Sequence, residues 1–471
     1  MTRSKPPNLS ETARGLARIV PRDRLISDPE LLEKYNQEWR GNYRGAAQLV
    51  ARPQSTAEVA AVVTHCHQAG IGWVVQGGNT GLVGGAVAAE EEIVISFESL
   101  NQVRQIDPHS YSMVVEAGLS LAATRRAAEA AGRVFPLMLA SAESCTIGGN
   151  IATNAGGMQV LRYGMMRDLV LGLEVVLPNG SVVSDLRGLR KANLGLDWKQ
   201  LFIGTEGRCG IITAACLKLY PPARETVTAW LALRDAAAAS AVLTQLREEL
   251  GELISIFEFL NELSLSMVTS TQGLAHPIAA ANRRGYYGLL LVESAAAAVG
   301  LEAAVLRAGK RLFESGLATD VVVAQSAAQA ATLMQLREGV SEAQSHFGAS
   351  LKHDVSVPLA QIAEFLEEAE LRLTQTVPGI RIVAFGHIGD GNIHYNLTRP
   401  EAMTDEQFRA LRPAINRTVY DLVQHLGGSF SAEHGIGRLR REEWRHYTAP
   451  EIVALVERVT SAVVPAKGFS F

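Results

Sequence analysis

The stretch Val74–Ala86, VVQGGNTGLVGGA, places five glycines directly after a β-prone run. Glycine lets consecutive backbone N–H groups converge on an anion, because no side chain stands in the way. The spacing is neither the GxGxxG of a dinucleotide-binding fold nor the GxxxxGK[ST] of a P-loop. The stretch alone therefore leaves two interpretations open: a loop that binds phosphate, or a long tight connection between strands.

Two further glycine-rich segments follow in the first half of the chain. They are Cys145–Met158, CTIGGNIATNAGGM, and Phe202–Ile212, FIGTEGRCGII, in which Glu206 is a lone carboxylate. Around them, predicted strands alternate with predicted helices such as Thr56–Ala69, which is typical of a mixed α and β domain. One extended ligand that touches all three segments is a simpler explanation than three independent turns.

Composition limits the possible functions. A chain of 471 residues with 47% hydrophobic and 20% charged residues fits two or three globular domains. The net charge of −4 argues against nucleic acid as the main partner. Four cysteines without a CxxC pair favour a reducing compartment. No run approaches the about 18 apolar residues of a membrane span, so we expect a cytoplasmic protein, or a mitochondrial matrix protein if the source is eukaryotic.

The three segments, together with Arg162-Tyr163-Gly164, resemble the FAD-binding domain of the vanillyl-alcohol oxidase and p-cresol methylhydroxylase (PCMH) superfamily. The resemblance implies two α+β subdomains with FAD between them and the FAD pyrophosphate on the Gly77–Gly85 loop. Some members attach the flavin through a histidine in or near these loops. Since no histidine occurs between His109 and His276, we expect noncovalent FAD.

The resemblance also indicates which residues contact FAD. They are Gln76, Gly77, Gly78, Asn79, Thr80, Gly81, Leu82, Gly148, Gly149, Asn150, Thr153, Asn154, Glu206, Gly207 and Ile211. Relatives usually carry a small residue and a leucine where this chain has Arg208-Cys209. The sequence leaves open whether Arg208 faces solvent or the flavin edge.

Glycine-rich segments of this kind stop near Pro222. A βαβ pattern then occurs twice, as in a ferredoxin-like antiparallel sheet. We therefore predict an α+β protein with a PCMH-type FAD-binding domain over 1–222, a substrate (cap) domain over 223–425, and a C-terminal helical segment over 426–471 that returns to the FAD domain.

The second decisive stretch is Phe385–Leu397, FGHIGDGNIHYNL. Asp390-Gly391 is a two-residue hairpin signal, and a turn centred there puts His387 opposite His394. Side chains directly opposed in this way have Cβ atoms about 5 Å apart, close enough to share a metal ion. Period-two alternation places Asn396 on the same face and Tyr395 on the other. The alternative is a surface hairpin whose histidines pair by chance.

Later in the chain, Glu433 and His434 add two chemically able side chains. Two imidazoles and a carboxylate, from His387, His394 and Glu433, leave open positions for a substrate, as in catalytic zinc sites. The same ligands also accommodate Mn or Fe. His434 would then be well placed as a general base.

Cationic residues precede the hairpin. Arg337 and Ser341 are four residues apart on a predicted helix, Leu333–Ser345, and so share a face. Lys352 lies on a predicted strand, Leu351–Val357. Such side chains are often simply solvated, and a convergent cationic pocket is the alternative.

These positions resemble those of the metal-dependent, FAD-linked D-2-hydroxy acid dehydrogenases, and most closely of the D-2-hydroxyglutarate dehydrogenases among them. The resemblance implies that the two imidazoles and the carboxylate bind a divalent metal, usually zinc, and that His434 is the base. It implies that Asn396 contacts the substrate. It also implies that Arg337, Ser341 and Lys352 hold a distal carboxylate, with Ser where Thr is common.

The implied reaction is oxidation of a D-2-hydroxy acid to the 2-oxo acid, by hydride transfer from C2 to flavin N5. D-2-hydroxyglutarate is the favoured substrate and D-malate an alternative. The implied electron acceptor is an electron-transfer flavoprotein or a quinone-linked carrier, and a homodimer is left open. Other hypotheses are a flavin dehydrogenase for D-lactate or glycolate, a metal-dependent hydrolase, and a flavin-binding protein without turnover.

The C-terminus departs from the family pattern. Relatives usually end with an Asn-Pro-Gly-Lys stretch that closes on the flavin, whereas this chain ends VVPAKGFSF. Pro465 and Lys467 keep part of that character, but the asparagine is missing. The C-terminal flavin contact is therefore not expected to carry over unchanged.

Overall fold

The computed structural model describes residues 9–41, 43–297 and 300–463, which form a mixture of helices and sheets. The chain divides into two units. The first contains the residues up to Gly156, Gly164–Pro221 and the residues from Glu433 onward; the second contains Gly157–Tyr163 and Pro222–Ala432. The predicted α+β class is confirmed. The C-terminal Pro465 and Lys467 lie outside the described residues.

Seventeen strands occur in the described part of the chain. They are β1 Leu25–Ile26, β2 Val50–Ala51, β3 Gly72–Gln76, β4 Glu92–Ser96, β5 Val103–Asp107, β6 Ser112–Glu116, β7 Val170–Val176, β8 Val182–Asp185, β9 Ile211–Lys218, β10 Glu225–Leu233, β11 Ile254–Asn261, β12 Tyr286–Ser294, β13 Ala318–Val323, β14 Ser350–Leu351, β15 Asp354–Ser356, β16 Arg381–Gly386 and β17 Asn392–Thr398.

The described residues also form seventeen α-helices. They are α1 Leu9–Leu16, α2 Pro29–Asn36, α3 Thr56–Ala69, α4 Leu121–Ala130, α5 Ile147–Ala152, α6 Val160–Tyr163, α7 Met166–Leu169, α8 Ala238–Leu250, α9 Glu262–Gln272, α10 Leu301–Glu314, α11 Ala327–Glu338, α12 Val340–Ala343, α13 Ile362–Thr376, α14 Asp405–Ala410, α15 Arg412–His425, α16 Arg441–Tyr447 and α17 Pro450–Val463. None of these helices is long and apolar enough to cross a membrane.

The first unit contains two sheets. Strands β1 to β4 form one sheet in the order β1-β2-β4-β3, with β4 parallel to both β2 and β3. Strands β5 to β9 form an antiparallel sheet in the order β5-β6-β9-β7-β8. The predicted helix over Thr56–Ala69 is confirmed at both ends, because the Ser55 side chain accepts from the Glu58 N–H and Gly70 ends the helix at φ 65°.

The second unit contains one eight-stranded sheet. Its first four strands lie in the order β13-β10-β12-β11 with antiparallel pairing, as predicted for a ferredoxin-like arrangement. Strands β16, β17, β14 and β15 extend that sheet. Helix α11 packs on one face, where Leu333 and Leu336 share a core with Leu260 and Phe385. On the other face, Tyr395 packs against Phe365 of α13 with ring centroids 5.2 Å apart.

The predicted register of the β16–β17 hairpin is wrong. Phe385, rather than His387, lies opposite His394. The reason is the turn: a type I′ turn needs positive φ at both central residues, but only Gly391 (φ 84°) has it. The Asp390 carboxylate instead accepts from the Asn392 N–H at 3.1 Å. A 3₁₀ turn over Ile388–Asp390 therefore lengthens the connection.

Two other predicted elements are interrupted. The helix expected over 333–345 begins earlier and divides at Gly339 into α11 and α12. The strand expected over 351–357 divides at Lys352-His353, where the His353 Nδ1 bonds to the Tyr395 carbonyl at 3.0 Å.

Candidate active site

The three glycine-rich segments contact one another within the first unit, to which all their residues except Gly157 and Met158 belong. A Cβ built on Gly78 would lie 1.8 Å from the Ser144 carbonyl oxygen and 3.0 Å from the Cα of Cys145, so the first segment packs against the start of the second. The N–H of Glu206 donates to the Ala152 carbonyl at 2.7 Å, which joins the third segment to the second. The expectation that one ligand could touch all three is therefore sterically reasonable.

The Gly77–Gly85 loop has the donors that an anion needs. Within the described chain, no N–H group of these nine residues donates a hydrogen bond to another residue. Unpaired N–H groups in a loop are costly unless water or a ligand accepts from them. A pyrophosphate would satisfy several of them at once.

Thr146 is a second unsatisfied group in the same place. Its hydroxyl oxygen is buried and has no hydrogen-bond partner among the described residues. It lies 2.1 Å from the position that a Cβ on Gly77 would take and 3.4 Å from the corresponding position on Gly149. Thr146 was missed by the sequence reasoning, although a threonine directly before IGGN is a helix-start signal; the structure places it before α5.

Most polar side chains predicted to contact FAD form hydrogen bonds with other residues of the first unit. The Gln76 amide donates to Tyr35 O and Ala86 O, at 3.0 and 2.8 Å. Asn79, Thr153 and Asn154 likewise bond to neighbouring groups. These contacts shape the loops, which leaves the backbone as the main surface for a cofactor.

Backbone strain is concentrated in these segments. Five described non-glycine residues have positive φ, and Asn79 (51°), Asn154 (49°) and Glu206 (55°) fall one in each segment. Residues held in the left-handed region cost free energy and cluster at functional sites. The strain therefore marks the same loops that the sequence singled out.

The loop that carries Glu433 and His434 belongs to the first unit and is fixed there. The Glu206 carboxylate accepts from the N–H groups of Ile436 and Gly437, each at 2.7 Å. The N–H of Arg438 donates to the Val83 carbonyl at 2.8 Å. The Glu206 carboxylate therefore binds this loop, and its predicted contact with FAD stays a prediction.

A different group of side chains lies on one face of the second unit's sheet. The Nδ1 of His387 is 2.5 Å from one oxygen of Glu258, and the Nε of Arg337 is 2.6 Å from the other. Glu258 itself is fully buried in β11. Burial alone would raise the pKa of this carboxyl, but the charges of Arg337 and His387 outweigh it and lower the pKa to about 2.

His387 and His394 remain close despite the changed register. Their rings are 5.4 Å apart, and a ring nitrogen of one lies within 4.8 Å of a ring nitrogen of the other. The Nδ1 of His394 is 3.7 Å from Asp354, its cross-strand neighbour in β15. The described second unit therefore brings two of the three predicted metal ligands together, while Glu433 begins the last segment of the first unit.

The predicted substrate residues occupy different environments. Arg337 is 6% exposed and stacks over Phe385, with its guanidinium carbon 4.8 Å from the ring centre. Its two terminal nitrogens have no hydrogen-bond partner in the described residues. Lys352 is half-buried, whereas Ser341 is exposed.

Asn396 is buried beside the same face. Its amide nitrogen donates to Gln344 at 3.0 Å, and Gln344 in turn donates to Thr398 at 2.9 Å. The common register of β14 and β15 against β17 places Lys352 opposite Asn396. Gln344 and Glu258 were both missed by the sequence reasoning, because each acts on a residue far away in the chain.

Comparisons with known proteins agree with this arrangement. Residues 47–185 match the family of FAD binding domains, and residues 222–470 match the C-terminal domains of FAD linked oxidases. The mitochondrial D-2-hydroxyglutarate dehydrogenase of Bos taurus is 38% identical over 453 residues, which cover 96% of this chain and 81% of that protein. The D-2-hydroxyglutarate dehydrogenase of Xanthomonas citri pv. viticola is 37% identical, with 96% and 94% covered.

Solved structures show the same fold at low sequence identity. A p-cresol methylhydroxylase crystallised with substrate bound has a TM-score of 0.78 and 15% identity, covering 97% of this chain and 95% of that one. An alkyldihydroxyacetonephosphate synthase has a TM-score of 0.73 and 16% identity, covering 99% and 85%. The predicted PCMH-type fold is confirmed. The chain belongs to the FAD-linked oxidases and, within them, to the family of the D-2-hydroxyglutarate dehydrogenases.

Proposed function

We propose that this protein oxidises a D-2-hydroxy acid to the corresponding 2-oxo acid, with D-2-hydroxyglutarate as the first candidate substrate and D-malate as the second. The observation that carries the proposal is the single sheet face on which two imidazoles, Asn396 and the buried Arg337 lie together. The similarity to D-2-hydroxyglutarate dehydrogenases over nearly the whole chain supports it.

FAD fits the first unit, since it can accept hydrogen bonds from the N–H groups of Gly77–Gly85 and form one with the buried Thr146 hydroxyl. None of these groups has a hydrogen-bond partner among the described residues. When bound, FAD supplies an acceptor for a hydride at N5 of its ring. We propose that the loop backbone holds the pyrophosphate and that the flavin is noncovalent. We propose that the residues predicted to contact FAD line this site.

A divalent metal fits the donor chemistry of His387, His394 and Glu433, as two imidazoles and a carboxylate make a common catalytic set. We propose zinc, with Mn or Fe as alternatives. The metal would supply a Lewis acid that favours ionisation of the substrate hydroxyl. Glu433 directly follows Ala432, whose N–H donates to the Asp354 carbonyl at 3.2 Å in the second unit, which supports Glu433 as the third ligand.

Residues of the chain would transfer the proton and bind the substrate. His434 would accept the proton from the 2-hydroxyl, because an imidazole titrates near neutral pH. Arg337 and Lys352 would bind the distal carboxylate, with Ser341 and Asn396 as further contacts. Only a substrate with a second carboxylate makes use of two fixed cations, which favours a dicarboxylate over D-lactate or glycolate.

We also propose an electron acceptor, an assembly and a compartment for this protein. An electron-transfer flavoprotein or a quinone-linked carrier would reoxidise the flavin, and a homodimer is an assembly to be tested. The compartment would be the mitochondrial matrix or the cytoplasm. The similarity to the mitochondrial enzyme of Bos taurus supports the matrix, and the similarity to the bacterial enzyme of Xanthomonas citri supports the cytoplasm.

Anaerobic mixing with a panel of 2-hydroxy acids tests the proposal. We expect a yellow protein whose flavin is bleached most efficiently by D-2-hydroxyglutarate, then D-malate, and not by the L enantiomers. A preference for D-lactate or glycolate would replace the dicarboxylate assignment. A colourless protein with bound metal would favour a hydrolase, and a flavin that no hydroxy acid bleaches would indicate binding without turnover.

A further inference from the structure

We propose that Glu258 is a positioning residue that sets the geometry of the metal ligand His387 and of the substrate-binding Arg337 together. This inference rests on the proposed function. One carboxylate oxygen lies 2.5 Å from the Nδ1 of His387 and the other 2.6 Å from the Nε of Arg337. One rigid group thus joins two side chains that the proposed reaction uses for different purposes.

The placement of Glu258 is fixed by the sheet. Strand β11 pairs with β16 through Phe259 with Gly386 and Leu260 with Phe385. Continuing that register by one residue puts Glu258 opposite His387. The pairing of the two strands therefore places the carboxylate beside the imidazole without the help of a metal ion.

A carboxylate at this depth is hard to explain by stability alone. The same-face neighbours Ile256 and Leu260 are apolar and fully buried, and the charged Glu258 between them is also 0% exposed. An apolar residue often stabilises such a position as well as or better than a buried ion pair. The two groups that Glu258 binds supply the reason for its presence.

The contact with His387 determines which nitrogen can bind metal. A carboxylate accepts hydrogen bonds, so the Nδ1 of His387 carries the proton. The metal ligand is then Nε2. Carboxylate partners of this kind orient ligating histidines, and their loss typically weakens metal binding 10–100-fold.

The contact with Arg337 determines how the guanidinium is presented. Glu258 holds the Nε, and Phe385 lies against the planar face with the guanidinium carbon 4.8 Å from the ring centre. The two terminal nitrogens are left to face a ligand, in the fork geometry that suits a carboxylate. Loss of Glu258 would therefore loosen the substrate contact as well as the metal contact.

Glu258→Gln tests the proposal, because it keeps the side-chain volume but replaces one of the two accepting carboxylate oxygens with an NH₂ donor. Exposed Glu252→Gln, just before the same strand, is the matched control. Zn²⁺ affinity is measured on the flavin-loaded protein without substrate, by competition with a chromogenic chelator. We expect at least a tenfold weaker affinity, a raised KM for D-2-hydroxyglutarate and a smaller effect on D-lactate, with the control unchanged.

The outcomes separate the inference from the proposed function. Wild-type protein that binds neither Zn²⁺, Mn²⁺ nor Fe²⁺ would overturn the metal role and the inference with it. If Glu258→Gln binds Zn²⁺ as tightly as the wild type and has the same KM values, the inference is overturned while the proposed function stands. If the variant fails to fold, ¹⁵N NMR spectra of the wild-type histidine side chains provide the test. The signals that are missing from the spectrum of His387→Gln are assigned to His387. Zinc on Nε2 with a protonated Nδ1 supports the inference, and zinc on Nδ1 overturns it.

Discussion

The Oε1 of Glu206 accepts a hydrogen bond from the backbone N–H of Ile436 at 2.7 Å, across 230 positions of sequence. The second carboxylate oxygen accepts from the Gly437 N–H at the same distance. Glu206 reaches this position with φ 55°, in the left-handed region. A glycine-rich segment of the first unit therefore secures the loop that carries His434.

Glu206→Gln should loosen that loop. Glutamine can accept from one N–H, but its NH₂ group faces the other, and an unsatisfied buried donor costs about 1–3 kcal/mol. We expect faster amide hydrogen exchange in peptides that cover Ile436 and Gly437. Exposed Glu129→Gln of α4 is the control and should leave exchange there unchanged. Equal protection in Glu206→Gln would show that the carboxylate does not hold the loop.

Two glycines of the first segment should respond differently to alanine. A Cβ on Gly78 meets the Ser144 carbonyl, whereas a Cβ on Gly81 meets nothing within 4 Å. Overpacking against backbone costs about 1–3 kcal/mol, so Gly78→Ala should lower the thermal stability of the flavin-free protein. Gly81→Ala should leave that stability unchanged but weaken flavin binding, measured by fluorescence titration. Unchanged flavin affinity in Gly81→Ala would contradict a close approach of the cofactor to this loop.

Arg337→Lys should change substrate preference. Lysine keeps a positive charge for Glu258 but loses the fork that a carboxylate fits. A charged hydrogen bond contributes about 1.5–3 kcal/mol, so kcat/KM for D-2-hydroxyglutarate should fall about 10–100-fold. The value for D-lactate should change little. Arg372→Lys in the half-exposed pair with Glu368 is the control, and an equal fall for both substrates would contradict the assignment.

Glu174 should make the first unit sensitive to acid. Its carboxylate accepts from Thr56, Thr213 and Arg104 at 2.5, 3.0 and 3.0 Å. Burial alone would raise the pKa of Glu174, but these contacts lower it below the ordinary 4.5. The ionised group therefore stabilises the fold above the unfolded pKa, and the contribution is lost as pH falls through the folded one.

Glu174→Gln should accordingly destabilise the protein at pH 7 by about 1–2 kcal/mol, and the difference should shrink toward pH 3. Urea unfolding at both pH values checks this, with exposed Glu143→Gln as the control. A difference that stays constant with pH would mean that the carboxylate charge contributes nothing.

The parts of the fold that could be predicted carry their signals locally. Helix α3 was predicted with correct bounds because Ser55 and Gly70 cap it within the segment itself. The glycine-rich segments were found for the same reason. The hairpin register failed because the Asp390 side chain caps the turn, a choice that the dipeptide Asp-Gly does not encode.

The least predictable part of the candidate site was Glu258. It lies 79 positions from Arg337 and 129 from His387 in sequence. A single carboxylate in an apolar strand has no periodic or motif signal of its own. Only sheet order, which brings β11 beside β16, places it next to its partners.

The rate at which D-2-hydroxyglutarate bleaches the bound flavin without oxygen tests the central claim most directly. We predict bleaching of the wild-type protein that slows several-fold with deuterium at C2, because the C2–H bond breaks in that step. His434→Ala should keep its flavin and metal but lose the bleaching. A wild-type flavin that stays oxidised with saturating D-2-hydroxyglutarate and every other D-2-hydroxy acid would contradict the account.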